Sequence, residues 1–266
     1  MNILVTNDDG IESPGIWALA KSLSLIGTVL LVAPDKQQSG VGTSISFSRN
    51  NTPVRETISK IPGLLSFTVG GTPSDCVLLG LKRLKKERID LIVSGINNGP
   101  NVGNDIFYSG TVMATLVGYF RKIPAVAISL AVKNEKERIH FNVAAQIATS
   151  IATSINTHYL GTSLIINVNV PNSPPNQIRG IRVTRTAGFG YVRLGQANDI
   201  GNSVGFNTII GKPDKALLEE DTDVWAIREG YVSITPLRFD ITDYGSIPKM
   251  MEYIPEFHWR KDKSFY

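Results

Sequence analysis

Two carboxylates, Asp8 and Asp9, stand side by side between the β-prone run Met1-Asn2-Ile3-Leu4-Val5-Thr6 and Gly10. Adjacent acids repel each other and are costly to desolvate. A hard cation such as Mg²⁺ or Mn²⁺ offsets both penalties. The plain alternative is a solvated Asp-Asp-Gly turn in which one acid caps the next helix. Two further polar clusters have similar character. Ser39-Gly40 lies in the loop Lys36 to Thr43, and Asn97 and Asn101 lie in Ser94-Gly95-Ile96-Asn97-Asn98-Gly99-Pro100-Asn101. Together they add a hydroxyl and amide oxygens, hard donors suited to Mg²⁺, Mn²⁺ or Ca²⁺. His140, His158 and His258 lie elsewhere and Cys76 is the only cysteine. A zinc site of nitrogen and sulfur ligands is therefore not expected. Tyr108-Ser109-Gly110-Thr111 stands at a predicted helix start, where unpaired N–H groups and the helix dipole favour an anion. An ordinary N-cap explains that tetrapeptide equally well. A carboxylate-held cation facing an anion-binding helix start points to a phosphate ester.

The elements that position these residues can be read from periodicity. Strands are expected at residues 1–6, 28–32, 91–94, 125–129 and 164–170. Between them, Ser13-Pro14 and Thr72-Pro73 each pair a cap with an N1 proline, opening helices. Further helices are expected from Ser109 or Gly110 to about Phe120, and from His140 to about Ile155. This rhythm predicts a three-layer, Rossmann-like α/β fold, a mostly parallel sheet with helices on both faces. Residues 44–70 read as a short antiparallel excursion. The loops holding Asp8, Ser39 and Asn97 then share the carboxyl edge of the sheet, where open α/β folds bind ligands. After Ser173-Pro174-Pro175 the pattern changes. Residues 182–186, 223–227 and 231–235 read as antiparallel strands, and Phe257 onward as a tail. The expected division is a Rossmann-like catalytic core at 1–172 and a β-rich extension with a swapped tail at 173–266, within one structural unit.

Bulk composition excludes several classes. Hydrophobic residues make up 42% and charged residues 19% of 266, an ordinary globular balance. A net charge of +4 is too small to argue for nucleic acid. The basic run Lys82 to Arg88 reads as the exposed end of a helix. Cys76, in an apolar stretch, reads as a buried structural thiol. The longest apolar run, Ile123 to Val132, is too short to span a bilayer. The start lacks a basic segment followed by a long apolar one, so a cytoplasmic location is expected.

The motifs Val5-Thr6-Asn7-Asp8-Asp9-Gly10, Ala33-Pro34 to Ser39-Gly40, Gly70-Gly71-Thr72-Pro73, Ser94-Gly95-Ile96-Asn97 and Tyr108-Ser109-Gly110-Thr111 occur in this order. With Thr222-Asp223-Val224-Trp225-Ala226 and Ser233-Ile234-Thr235-Pro236-Leu237, the chain resembles the survival protein SurE family from residue 1 to about 245. The resemblance implies a metal-dependent 5'-nucleotidase that hydrolyses nucleoside 5'- and 3'-monophosphates, and short polyphosphate. It implies one divalent cation per subunit, Mg²⁺ or Mn²⁺ with Ca²⁺ also admissible, held by Asp8, Asp9, Ser39 and Asn97. Asn101, Ser109, Gly110 and Thr111, with Gly40, match the substrate-binding positions. Asp8, Asp9, Asn101 and Ser109 form the implied catalytic set, with Asp8 in acid/base chemistry or, alternatively, as a phosphate-accepting nucleophile. The family forms homodimers or homotetramers that exchange C-terminal segments. Neither a membrane nor a stable nucleic-acid partner is expected. One departure is Gly103-Asn104-Asp105, where the family commonly carries two acids.

Three rival classes fit less well. A phosphoacceptor signalling domain needs an aspartate at the end of the third core strand, where this chain has Ser94-Gly95-Ile96-Asn97. An aspartate-nucleophile phosphatase separates its two acids by one residue; here they are adjacent. A non-catalytic nucleotide- or RNA-binding module leaves the acidic pair without a purpose.

Overall fold

The computed structural model describes residues 1–46, 52–83, 88–132, 137–157, 164–200, 203–210 and 219–253. Its strands are β1 Asn2–Thr6, β2 Thr28–Pro34, β3 Val54–Glu56, β4 Leu65–Val69, β5 Leu91–Asn98, β6 Ala125–Ala131, β7 Ile165–Pro171, β8 Ile181–Val183, β9 Val192–Ile200, β10 Ser203–Ile210 and β11 Val232–Leu237. Its helices are α1 Pro14–Leu23, α2 Pro73–Arg83, α3 Gly110–Phe120, α4 Phe141–Thr157, α5 Asp223–Arg228 and α6 Ile247–Tyr253. The main sheet runs β3-β4-β2-β1-β5-β6-β7-β11-β8. Strands from β4 to β7 pair in parallel.

Alternation along β1 explains the three layers. Ile3 and Val5 face one side and pack with Ile16, Leu19 and Leu23 of α1 and with Val143, Ala144 and Ala148 of α4. Leu4 faces the other side with Cys76 and Val77 of α2 and Ala114 and Val117 of α3. Both faces are covered, so the strands are near-continuous apolar runs. Cys76 is fully buried, and burial pushes its thiol well above the usual range. The helix starts obey the expected cap chemistry. Ser13 Oγ accepts from the Gly15 N–H and Pro14 occupies the first turn of α1.

The chain leaves β1 for β2 on one side and later returns to lay β5 on the other. The crevice beyond the carboxyl ends of β1 and β5 is therefore a topological switch point, the place where such sheets bind ligands.

Several expected elements differ. β5 continues four residues past Ser94, through a bulge at Ile96: Gly95 pairs with Ile128 and Asn97 with Ser129. A Cβ on Gly95 would lie 2.2 Å from the Ile128 carbonyl oxygen, and its φ of 139° suits glycine. Residues 223–227 form helix α5, not a strand. Thr222 Oγ1 accepts from the Trp225 N–H, and Val224, Ala226 and Ile227 are buried on a helical rather than an alternating pattern. β8 pairs with β11 in parallel, not antiparallel, whereas β11 is antiparallel to β7 as expected. Thus elements from beyond residue 172 extend the core sheet. β9 and β10 pair antiparallel in a separate two-stranded sheet. β3 pairs antiparallel with β4, although residues 47–51 of that excursion lie outside the described residues. So do residues 84–87 of the basic run, His158, His258 and the tail from 254 onward. Among the described residues no helix is long and apolar enough to cross a membrane.

Candidate active site

The acidic pair emerges from β1 into the switch-point crevice. Asp8 is buried, and Thr111 holds both its oxygens: the Thr111 N–H donates to Oδ2 at 3.1 Å and the Thr111 hydroxyl donates to Oδ1 in a short bond. This contact needs the start of α3 to lie directly against β1. Gly110 permits it, since a Cβ there would stand 2.9 Å from Asp8 Cβ and 3.2 Å from Pro73 Cγ. Asp9 Oδ2 accepts the Asn98 N–H at 3.1 Å, joining β1 to the end of β5. One residue earlier, Asn97 donates its amide to the Gly99 carbonyl at 2.8 Å. Its side-chain oxygen keeps no partner among the described residues.

The loop after β2 is fastened at both ends of this crevice. The Gln38 N–H donates to the Asp8 carbonyl at 2.7 Å, and the Gly42 N–H donates to the Tyr108 carbonyl at 3.0 Å. Ser39 and Gly40 lie exposed between these two ties, with Ser39 Oγ accepting from Gln37 Nε2 at 3.0 Å. Ser109 caps α3 by accepting the Val112 N–H at 3.1 Å, which leaves its own hydroxyl proton available. The Gly110 N–H keeps no partner among the described residues. Asp8, Asp9, Ser39, Gly40, Asn97, Ser109, Gly110 and Thr111 are therefore gathered around one crevice. Thr111 differs in orientation from a phosphate donor, because its amide and hydroxyl both serve Asp8.

Asn101 is buried just behind. Its N–H donates to Asn169 Oδ1 at 2.8 Å, and its carbonyl accepts from Asn167 and Asn169 at 2.8 and 2.9 Å. Its side-chain amide donates to Ser129 Oγ at 2.8 Å. Asn167, Asn169 and Ser129 escaped sequence reasoning. The available signal was Asn167-Val168-Asn169, two amides on one face of an otherwise apolar strand, which burial obliges to find partners. Asp223 also escaped a site role. Fully buried, it accepts from the Gly103, Ala187 and Val224 N–H groups at 2.8, 2.9 and 2.8 Å. Asn104 donates to the Gly188 carbonyl at 2.8 Å, a bond an acid at this position could not make.

Electrostatics single out the acidic pair. Burial pushes the Asp8 carboxyl up to about 6, against the Thr111 hydrogen bond and with help from the Asp9 charge. Burial also raises Asp9, opposed by the Asn98 N–H. The ion pairs among the described residues are Lys60–Glu12, Arg179–Glu229 and Arg185–Glu219, none at this crevice. Two desolvated carboxylates with no ion-pair partner among the described residues form a site whose charge a bound cation would balance. Among the described residues no cluster of three or more His, Cys, Asp or Glu adds to them. Two carboxylates with neutral oxygen donors fit a hard cation that retains part of its water shell.

Fold and site together define a Rossmann-like α/β protein with an acidic ligand site at its switch point. The sequence profile of the Survival protein SurE family matches residues 3–192. The 5'-nucleotidase SurE of Dehalococcoides mccartyi strain CBDB1 is 41% identical over 237 residues, 89% of this chain and 88% of that protein. The 5'/3'-nucleotidase SurE of Citrobacter koseri is 40% identical over 249 residues, covering 92% and 93%. The crystal structure of the SurE protein from Aquifex aeolicus superposes with a TM-score of 0.80 at 35% identity, covering 95% of this chain and 99% of that one. The chain belongs to the survival protein SurE family.

Proposed function

We propose that the protein is a metal-dependent 5'-nucleotidase that converts nucleoside 5'-monophosphates, and 3'-monophosphates, to nucleoside and phosphate, with short polyphosphate as a further substrate. The observation that carries this reading is the adjacent Asp8–Asp9 pair, Asp8 buried and Asp9 half-buried, with no ion-pair partner among the described residues, facing the start of α3 across the switch-point crevice. The names of the relatives support the reaction class.

Asp8, Asp9, Ser39 and Asn97 would hold one Mg²⁺ or Mn²⁺. Such a cation, when bound, neutralises phosphate charge and acidifies water. The chain's own groups do the rest. Ser109 donates its free hydroxyl proton, and Gly110 its N–H, to phosphoryl oxygens as charge develops on them. Gly40, exposed and with open space around it, lets the substrate approach the loop backbone. Asn101, clamped by Asn167 and Asn169, fixes the chain between the metal-binding end of β5 and the start of α3. Asp8 takes up the proton of the attacking water. Thr111 occupies both Asp8 oxygens, which favours ligation and proton handling over nucleophilic attack by Asp8 on phosphorus. The working form is a cytoplasmic homodimer or homotetramer.

A panel of nucleoside monophosphates assayed with several divalent metals tests this reading. Chelation should abolish phosphate release, and Mn²⁺ or Mg²⁺ should restore it. Full turnover by metal-stripped protein would overturn metal dependence. Silence on every nucleotide with both metals would overturn the activity.

A further inference from the structure

A cavity of about 410 Å³ lies beside the acidic pair, on the β2–β4 side, and the proposed hydrolysis does not use it. Asp35 and Lys36 at the end of β2, Gln38, Ser46, and Gly71 and Thr72 before α2 line it. Its link to the crevice is direct. Gln38, a wall residue, gives its N–H to the Asp8 carbonyl, and Ser39 comes next in sequence. The far wall is fixed. Asp75 accepts the Ser46 N–H at 3.0 Å, the Ser46 hydroxyl at 2.7 Å and the Thr72 N–H at 2.9 Å. Thr72 Oγ1 donates to the Ser44 carbonyl at 2.6 Å. The cavity thus has a built polar wall and adjoins the loop that carries Ser39.

The Asp35 carboxylate has no hydrogen-bond or ion-pair partner among the described residues. An unpaired carboxylate repels a second phosphate and accepts from neutral O–H donors. In the doubly wound folds that bind dinucleotides, an acid placed after the second strand accepts from the ribose hydroxyls, and Asp35 holds the comparable place after β2. We propose that this cavity is the sugar subsite of the nucleotide substrate, with the Asp35 carboxylate accepting hydrogen bonds from the ribose hydroxyls. The inference rests on the nucleotidase reading and adds to it a residue that selects ribose.

The test compares adenosine 5'-monophosphate, its 2'-deoxy analogue and p-nitrophenyl phosphate, each with saturating Mn²⁺, on the full chain and on Asp35→Ala and Asp35→Asn. Asp35 is exposed, so both variants should fold. Wild type should prefer the ribonucleotide. Asp35→Ala should raise KM for the ribonucleotide roughly tenfold and bring the ribo-to-deoxyribo ratio of kcat/KM close to one. Turnover of p-nitrophenyl phosphate, which has no sugar, should stay within about twofold. Asp35→Asn, which keeps one acceptor oxygen, should fall between. An unchanged ribo-to-deoxyribo ratio, or an equal loss on all three substrates, would overturn the sugar subsite while leaving the nucleotidase reading in place. Wild-type turnover of p-nitrophenyl phosphate alone would overturn the nucleotidase reading and the subsite with it.

Discussion

Asp8 is held on both oxygens by a single residue, and that arrangement ties ligand geometry to the start of α3. Asp8→Asn and Asp9→Asn should each keep the fold while lowering turnover at least ~100-fold, about 2.7 kcal/mol of transition-state stabilisation. Circular dichroism and steady-state rates check this, and modest losses in both would reduce the pair to a capping turn. Thr111→Val is a finer probe. It is nearly isosteric and keeps the backbone N–H bond to Oδ2, but removes the hydroxyl from Oδ1. A hydrogen bond to a charged group contributes about 1.5–3 kcal/mol, so turnover should fall roughly 10–100-fold. The Mn²⁺ concentration for half-maximal rate should rise with it, and Thr111→Ser should restore both. Recovery failing in Thr111→Ser would show that the methyl, not the hydroxyl, matters. At this scale the residues whose types are unusual for their place, an acid pair after an apolar strand, Ser39-Gly40 and Asn97, are the ones the fold brings to one crevice. The sequence was silent on Thr111 as a ligand of Asp8, because that bond depends on how closely Gly110 lets α3 approach β1.

Elements place these residues, and α2 shows how a helix start can also build a wall. Asp75 in its first turn gathers the Thr72 N–H and two donors from Ser46, twenty-nine residues upstream. Burial alone would raise its carboxyl, but these hydrogen bonds outweigh it and hold the group below the usual range. The folded state therefore favours the carboxylate. Asp75 contributes stability above the ordinary carboxylate value, and that contribution is lost as pH falls through it toward the lowered folded value. Asp75→Asn should cost about 1–2 kcal/mol at neutral pH. The gap from wild type should narrow below pH ~4, read as urea midpoints across a pH series. A gap independent of pH would place the loss in shape rather than charge. Cap-plus-proline signals made α1 and α2 legible, and α3 likewise by its Ser-Gly-Thr start. Helix α5 was not. Asp223-Val224-Trp225-Ala226-Ile227 is short, β-branched and aromatic, and only tertiary burial of Val224, Ala226 and Ile227 decides for helix. The Asn167–Asn169 clamp was equally hidden, since it depends on β7 lying beside β6 and on the path of residues 99–101 across both.

For the whole molecule, the alternation of strands and helices made the sheet legible, with the candidate site at its carboxyl edge. It did not determine how the last third completes the sheet, because β8 and β11 are recruited by pairing with β7 and with each other across long stretches of chain. The segment after β11 is left uncovered. Ile241, Tyr244, Ile247, Met250 and Met251 are exposed within eleven consecutive residues, and Ile181 and Val183 are exposed on the edge strand β8. Apolar surface left in water costs about 25 cal/mol per Å². Several large side chains so close together form the kind of patch that a neighbouring copy covers. Exchange of identical terminal elements is a low-cost way to do so. Residue 172, the expected end of the core, does not end the sheet, since β11 and β8 beyond it join β7. Truncation before Ser246 removes Ile247, Met250 and Met251 but none of the residues gathered around Asp8. Light scattering should then report a shift toward monomer, while Mn²⁺ binding to the Asp8–Asp9 site, measured by calorimetry, stays intact. A truncated chain that keeps the full-length mass class would show that the tail covers its own subunit and that assembly rests on other surfaces.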